Sequence, residues 1–240
     1  MGSKFDKNRV YLLHWLFEKF SRCGLSNPTD RSVAISGLEQ RLGKVLRTEW
    51  RYGIFASYFH RCLIWQPCRG QLVKRIASGV PSWSWMAYTG EITFMEIPFE
   101  EVSWNLDIEG PFESSENDAS GNKAPGARLE AEARELDLNG SDEEWSRLIA
   151  GDEERADATR YLRFDEADVT DKLKIESLRY IVVGRDGDWD GLDRDECQFC
   201  YYGLVVRPLE GGAEKEYERV GVGSLRKRDL SIQVERVYVL

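Results

Sequence analysis

At Pro81 the spacing of apolar residues changes from a helical rhythm to the two-residue rhythm of a strand, which confines the chain to helices first and strands after. Before that point, NRVYLLHWLFEKFSRCG places Tyr11, Leu12, Trp15, Leu16 and Phe20 at helical spacing and offers Gly24 as a C-cap. Beyond SNPT, the run DRSVAISGLEQRLGKVL puts Ala34, Ile35, Leu38, Leu42, Val45 and Leu46 on one stripe, with Asp30 at the dipole-positive start. Apolar pairs then recur every four residues, at Ile54 and Phe55, Tyr58 and Phe59, and Cys62 and Leu63, which predicts a third helix over roughly Trp50 to Trp65.

In VPSWSWMAYTGEITFMEIPFEEVSW the alternation of Trp83 and Trp85 with small residues, resumed by Ile92 and Phe94 after a turn at Thr89-Gly90, predicts strands. Pro98 interrupts the run, so the segment up to Trp104 reads as a further short strand near an edge. Residues 107–127 are rich in Gly, Ser, Asn, Asp and Glu and predict a mobile acidic insertion. ARLEAEARELDL reads as a strand, and Trp145 to Ile149 as a short helix within acidic, loop-like sequence. LRYIVVGR, CQFCYYGLVVRPL, YERVGVGSL and SIQVERVYVL are Val/Ile/Tyr-rich runs between turn residues. The expected fold is α+β: N-terminal helices (1–66), then a β-rich region (67–240) forming a predominantly antiparallel sheet or partial barrel.

Charge and cysteine usage narrow the function classes. Of the net −9, the excess lies in residues 109–170, with 7 Lys/Arg against 18 Asp/Glu, while residues 1–108 carry 14 against 10. Neither a basic face nor an aromatic RNA-binding motif is present, so no nucleic-acid partner is expected. The longest apolar runs fall far short of the roughly 20 residues of a bilayer span. The five cysteines, Cys23, Cys62, Cys68, Cys197 and Cys200, form an odd, scattered set that reads as reduced thiols in a cytoplasmic protein.

Few constellations carry chemistry. Cys197-Gln198-Phe199-Cys200 has the spacing of a metal knuckle or redox dithiol but lacks a second ligand pair, so structural thiols are expected. Asp186, Asp188 and Asp190 match the first half of a calcium loop. The twelfth position, however, is Cys197 where a bidentate Glu belongs, and the reading is a solvated acidic loop. His14 and His60, the sole histidines, fall in predicted helices, and His60 and Cys62 point about 200° apart on a helix. Ser82 and Ser84 lack a nucleophile elbow. Gly221-Val222-Gly223 lacks the third glycine of a dinucleotide fingerprint, its place being taken by Arg226, and reads as a sheet bend. No catalytic residue, cofactor or metal site is assigned.

Four pieces of the chain, in order, resemble the fungal heterokaryon-incompatibility (HET-domain) proteins: SRCGLSNPTDRSVAISGLEQRL, YGIF with CLIW, PSWSWMAYTGEI, and GLVVRPL with YERVGVG. The most specific is PSWSW, so Pro81, Trp83 and Trp85, with Arg219, Gly221 and Gly223, are the motif residues that the resemblance singles out. In such proteins the HET domain that triggers incompatibility lies upstream of these segments, and this chain starts at about that domain's end. The resemblance implies a non-enzymatic region acting in non-self recognition and programmed cell death. Its implied partner is a HET-type effector domain or another incompatibility partner, with Trp83, Trp85 and Trp104 as core anchors. The alternative is a small-molecule or calcium-binding module, or an enzyme, using a pocket lined by the tryptophans and the acidic loop.

Overall fold

The computed structural model describes residues 4–69, 71–76, 79–100, 102–112, 128–137, 148, 160–166, 177–186 and 199–240. Two helices open the chain, α1 (Lys4–Ser21) and α2 (Arg31–Leu46). Helix α1 buries Val10, Leu13 and Phe17, whereas Tyr11, Leu12 and Trp15, expected on the core stripe, are exposed. The helix is apolar over more than half its circumference, so periodicity alone admits two stripes about 100° apart. Packing selects between them: Phe17 meets the rings of Phe55 and Trp85. Gly24 is not a left-handed C-cap, since only Gly53, Gly90 and Gly211 have positive φ among the described glycines.

Helix α2 buries Arg31, Ile35, Glu39 and Gly43, four residues apart, with Leu38, Leu42 and Leu46 packed beside them. Ala34 and Val45, expected on that stripe, face outward. Gly43 is required because the Trp50 ring lies on the helix there, and a Cβ would come 1.9 Å from Trp50 Cε3.

The expected third helix is replaced by a hairpin and a single helical turn. Strands β1 (Trp50–Arg51) and β2 (Ile54–Phe55) pair antiparallel, and helix α3 spans only Phe59–Leu63. Tyr52 at φ 50° and Gly53 at φ 79° make the tight turn, a left-handed pair suited to two-residue hairpins. The turn is held against α2 because the Gly53 N–H donates to Glu39 Oε1 at 2.7 Å. Ile54 and Phe55 therefore enter the core from a strand.

PSWSW is not a strand. Its serines compete for the backbone: Ser84 Oγ accepts from Met86 N at 3.1 Å and donates to Tyr52 O at 2.7 Å, turning the chain into a 3-10 turn at Trp85–Ala87. Nor does Thr89-Gly90 join a hairpin of that segment with Ile92. Strand β5 (Tyr88–Thr89) pairs with β4 (Lys74–Arg75), and β6 (Ile92–Phe94) pairs with β3 (Trp65–Pro67).

The remaining strands are β7 (Val102–Trp104), β8 (Leu129–Leu136), β9 (Tyr161–Phe164), β10 (Arg179–Asp186), β11 (Tyr201–Pro208), β12 (Glu216–Leu225) and β13 (Leu230–Val239). Five of them close a barrel in the order β11-β10-β8-β13-β12 and back to β11. Among the described strands, every pairing is antiparallel except the short one between β12 and β13. Strand β7 adds to β10 and β9 to β12, each beside the barrel. The fold is thus α+β, as expected, although the short strands β1 to β4 precede Pro81.

One core cluster fills the barrel with Ile181, Val183, Leu204, Val222 and Val237 and runs out to Trp83 and to Cys62 and Leu63 of α3. A second joins α1 and α2 to Trp65, Trp85 and Tyr88. The expected mobile insertion does not begin at 107: Ile108 is buried and Glu109 pairs with Glu130 in a β-bridge, while residues 113–127 lie outside the described residues. Of the expected short helix at Trp145 to Ile149, only Leu148 is described; it is helical and buried.

Candidate functional site

Arg219 and the segment from Pro81 to Trp83 meet at one buried centre, built around Arg219 on β12, whereas Trp85 packs in the second cluster against Phe17 and Phe20. Val220 is the extra residue of a bulge, since Val205 faces Gly221 while Val206 faces Arg219. Arg219, 1% exposed, donates from Nε and Nη2 to the two carboxylate oxygens of Asp165, each at 3.2 Å. Its Nη1 donates to Leu63 O at 3.0 Å and its Nη2 also to Trp65 O. The guanidinium Cζ lies 3.4 Å from the centre of the Trp65 ring, and Trp65 Nε1 donates to Trp83 O at 2.9 Å. Ser82 links further pieces, its Oγ accepting from Arg219 N at 2.9 Å and donating to Leu240 O. Tyr88 donates its hydroxyl to Arg219 O at 3.2 Å.

This centre is a clasp. It ties together α3, β3, the Pro81 turn, Asp165 after β9, β12 and Leu240. Burial pulls Arg219 down and Asp165 up from their ordinary pKa values, and their mutual attraction opposes both shifts. Burial also raises the Tyr88 phenol far above its usual range, keeping it protonated. Four of the five guanidinium N–H groups are engaged, and the adjoining cavity, beside Arg75, Glu166, Arg207 and Glu218, is about 20 Å³, room for one water. The glycines fit the same logic: a Cβ on Gly221 would lie 2.5 Å from Arg163 O, and one on Gly223 would lie 2.7 Å from Tyr161 O. They let β9 approach β12. Trp83 and Trp85 are fully buried core anchors, whereas Trp104 is half-buried.

Asp165 was not legible in the sequence. It follows the strand YLRF as one acid in a highly acidic segment, and nothing local marks it as the counter-ion of a residue 54 positions away.

Of the calcium-loop residues, Asp188 and Asp190 lie outside the described residues, as does Cys197. The Asp186 carboxylate accepts from the Tyr202 hydroxyl at 2.5 Å and from Cys200 N at 3.2 Å, so it braces β11. Among the described residues, no group of three or more His, Cys, Asp or Glu side chains could hold a metal ion. Cys23, Cys62 and Cys68 are free thiols, and burial pushes Cys62 up to about 12, out of reach of nucleophilic chemistry near neutral pH. No described helix is long and apolar enough to cross a membrane.

Both histidines are structural. His14 stacks on Phe94 at 3.8 Å with Nε2 buried and without a partner, and burial lowers its pKa to about 3. His60 meets Asn105 O through Nε2 at 2.7 Å, which fixes the proton on that nitrogen, and its ring stacks on Trp104. Burial lowers its pKa, opposed by that contact.

Outside the clasp, two surface features stand out. A groove of about 790 Å³ runs between α1, α3 and β7, past Arg9, Tyr58, Arg61, Phe99 and Trp104. On α1 the side chains of Tyr11, Leu12 and Trp15 are 57%, 49% and 54% exposed, with Lys7 Nζ 5.8 Å from the Tyr11 ring and exposed Lys19 one turn beyond Trp15. Comparison with family models, with curated proteins and with solved structures finds no match.

Proposed function

We propose that the chain is a non-enzymatic module of a HET-like protein, acting in the cytoplasm through contacts with a HET-type effector domain in non-self recognition and programmed cell death. The observation that carries this reading is the uncovered aromatic face of α1, formed by Tyr11, Leu12 and Trp15 between Lys7 and Lys19. Large aromatic side chains left in water beside charged ones are the composition of a protein contact. The face lies on the first helix, nearest in sequence to the position that the effector domain takes in the resembled proteins. Its lysines suit an acidic rim around an apolar centre on the partner. Arg219 and the Pro81 to Trp83 segment, by contrast, are engaged in the clasp, and Trp85 is buried against α1, which supports a structural role for them.

The test is co-expression of the full chain with a HET domain, reading association by co-purification and toxicity by colony survival. Association, together with altered toxicity, is the expected result. A chain that neither associates with the domain nor changes survival would remove the proposal.

A further inference from the structure

Among the described residues, Arg61 is a buried cation without an acidic partner. It is 9% exposed, and its guanidinium donates only to carbonyls: Nη1 to Ile97 O at 3.1 Å, and Nη2 to Pro98 O at 2.9 Å and Phe99 O at 3.3 Å. These use three of its five N–H groups. The charge lies over the Phe99 ring, Cζ 4.4 Å from its centre, and over the Trp104 ring at 5.0 Å. Buried charges are normally paired, and none of the described carboxylates comes within 4.0 Å of this one. The clasp makes the contrast within the same molecule, since Arg219 is also buried but has Asp165.

Arg61 lines the groove of about 790 Å³, a volume suited to a small molecule. The apolar wall is supplied by Val10, Leu46, Tyr58, Phe99 and Trp104. Among the described residues, the acids that line the groove are at its rim: Asp6, 3.6 Å from Arg9, and exposed Glu100. Positive charge is thus deep and fixed, while negative charge is shallow and solvated.

We propose that this groove binds a small organic anion, a carboxylate or phosphate on an apolar body, with Arg61 facing the anionic group, Arg9 at the mouth, and Tyr58 and Phe99 against the body. A planar guanidinium pre-oriented by three carbonyls loses little freedom when it meets a carboxylate or phosphate edge. The groove adjoins the exposed face of α1, since Asp6, Arg9 and Val10 line it and Tyr11 lies close enough to act on the charge of Arg61, but the proposal does not depend on a protein partner.

Phenyl phosphate is the probe, titrated into the full chain and followed by the tryptophan indole N–H signals in two-dimensional NMR. Saturable binding with a dissociation constant on the order of 1 mM is expected for a ligand this small. Inorganic phosphate and benzyl alcohol, which carry the charge and the body separately, should each bind at least tenfold more weakly. Arg9→Ala should weaken binding about threefold. Ala56→Trp, at an exposed position of the groove wall, should block it. Arg61→Gln should abolish binding while thermal melting reports whether the chain still folds; if it does not, Arg9→Ala and Ala56→Trp carry the test. Absence of saturation up to 10 mM overturns the proposal. So does binding untouched by Arg9→Ala and Ala56→Trp, or inorganic phosphate binding as well as phenyl phosphate.

Discussion

Arg219 lies over Trp65, Cζ to ring centre 3.4 Å, while the same guanidinium grips Asp165, so one side chain joins a cation–π contact to a buried ion pair. Removing one partner of such a pair leaves a charge in the core, at a cost of about 3 to 5 kcal/mol. Arg219→Met should therefore lower the unfolding free energy by about that amount. Arg219→Met with Asp165→Leu should recover part of the loss, because no charge is stranded, although the carbonyls of Leu63 and Trp65 still lose their donor. Urea unfolding of the four proteins of this cycle measures the coupling. Strictly additive losses would contradict the clasp.

The bulged strand makes a second prediction. Gly221→Ala would bring a methyl group 2.5 Å from Arg163 O, a backbone atom that cannot move without shifting β9. A loss of about 2 kcal/mol or more is expected, the upper part of the range for overpacking. Gly24→Ala, with nothing within 4 Å of its Cβ position, should be neutral within about 0.5 kcal/mol. Thermal melting of both variants checks the contrast.

Glu39 and His14 contribute to the acid side of the stability profile with opposite signs. Burial raises Glu39 from 4.5 to about 7, against the Gly53 N–H that favours its ionised form. Between those values the folded chain holds a proton that the unfolded chain has released, so this contribution to stability is full below pH 4.5 and lost as pH rises to about 7. His14, lowered from 6.5 to about 3, does the reverse: the unfolded chain takes up the proton first, so stability is lost as pH falls from 6.5 towards 3. The two slopes cancel between about pH 4.5 and 6.5. Glu39→Gln, which keeps an oxygen for Gly53, should uncover a rise in stability with pH across that window, seen by urea unfolding at stepped pH. A flat profile in the variant would refute this assignment.

Sequence spacing gave the order of elements because period follows backbone geometry, and the strands β8 and β10 to β13 declare themselves through alternation and β-branched residues. It misled where local hydrogen bonds or tertiary choice decide. Ser82 and Ser84 bend PSWSW out of extended pairing, the Tyr52-Gly53 turn splits the expected third helix, and α1 had two apolar stripes from which the core chose one. Trp83 and Trp85 were legible as anchors because residues so large and apolar are rarely left in water. The site itself was half legible. Arg219 and the two glycines stand in a recognisable segment, but Asp165 and the cation of Arg61 acquire meaning only from partners 54 and about 36 to 38 positions away, or from their absence.

The stripe that the core rejected is the basis of the last prediction. Tyr11, Leu12 and Trp15 contribute little to folding because they remain more or less half exposed, so Tyr11→Ser with Trp15→Ser should change stability by less than about 1 kcal/mol. If that face binds a HET-type domain, its two aromatic residues are the candidates for the energetic centre of the contact, where truncation costs about 2 kcal/mol or more each. Co-purification should then fall more than tenfold, and any change in toxicity caused by the wild-type chain should vanish. Lys7→Glu with Lys19→Glu should slow association at low salt while leaving the apolar contact in place, which surface plasmon resonance at two ionic strengths would resolve. A folded double serine variant that binds as well as the wild type would show that the contact lies elsewhere, and the exposed aromatics of α1 would then have no assigned partner.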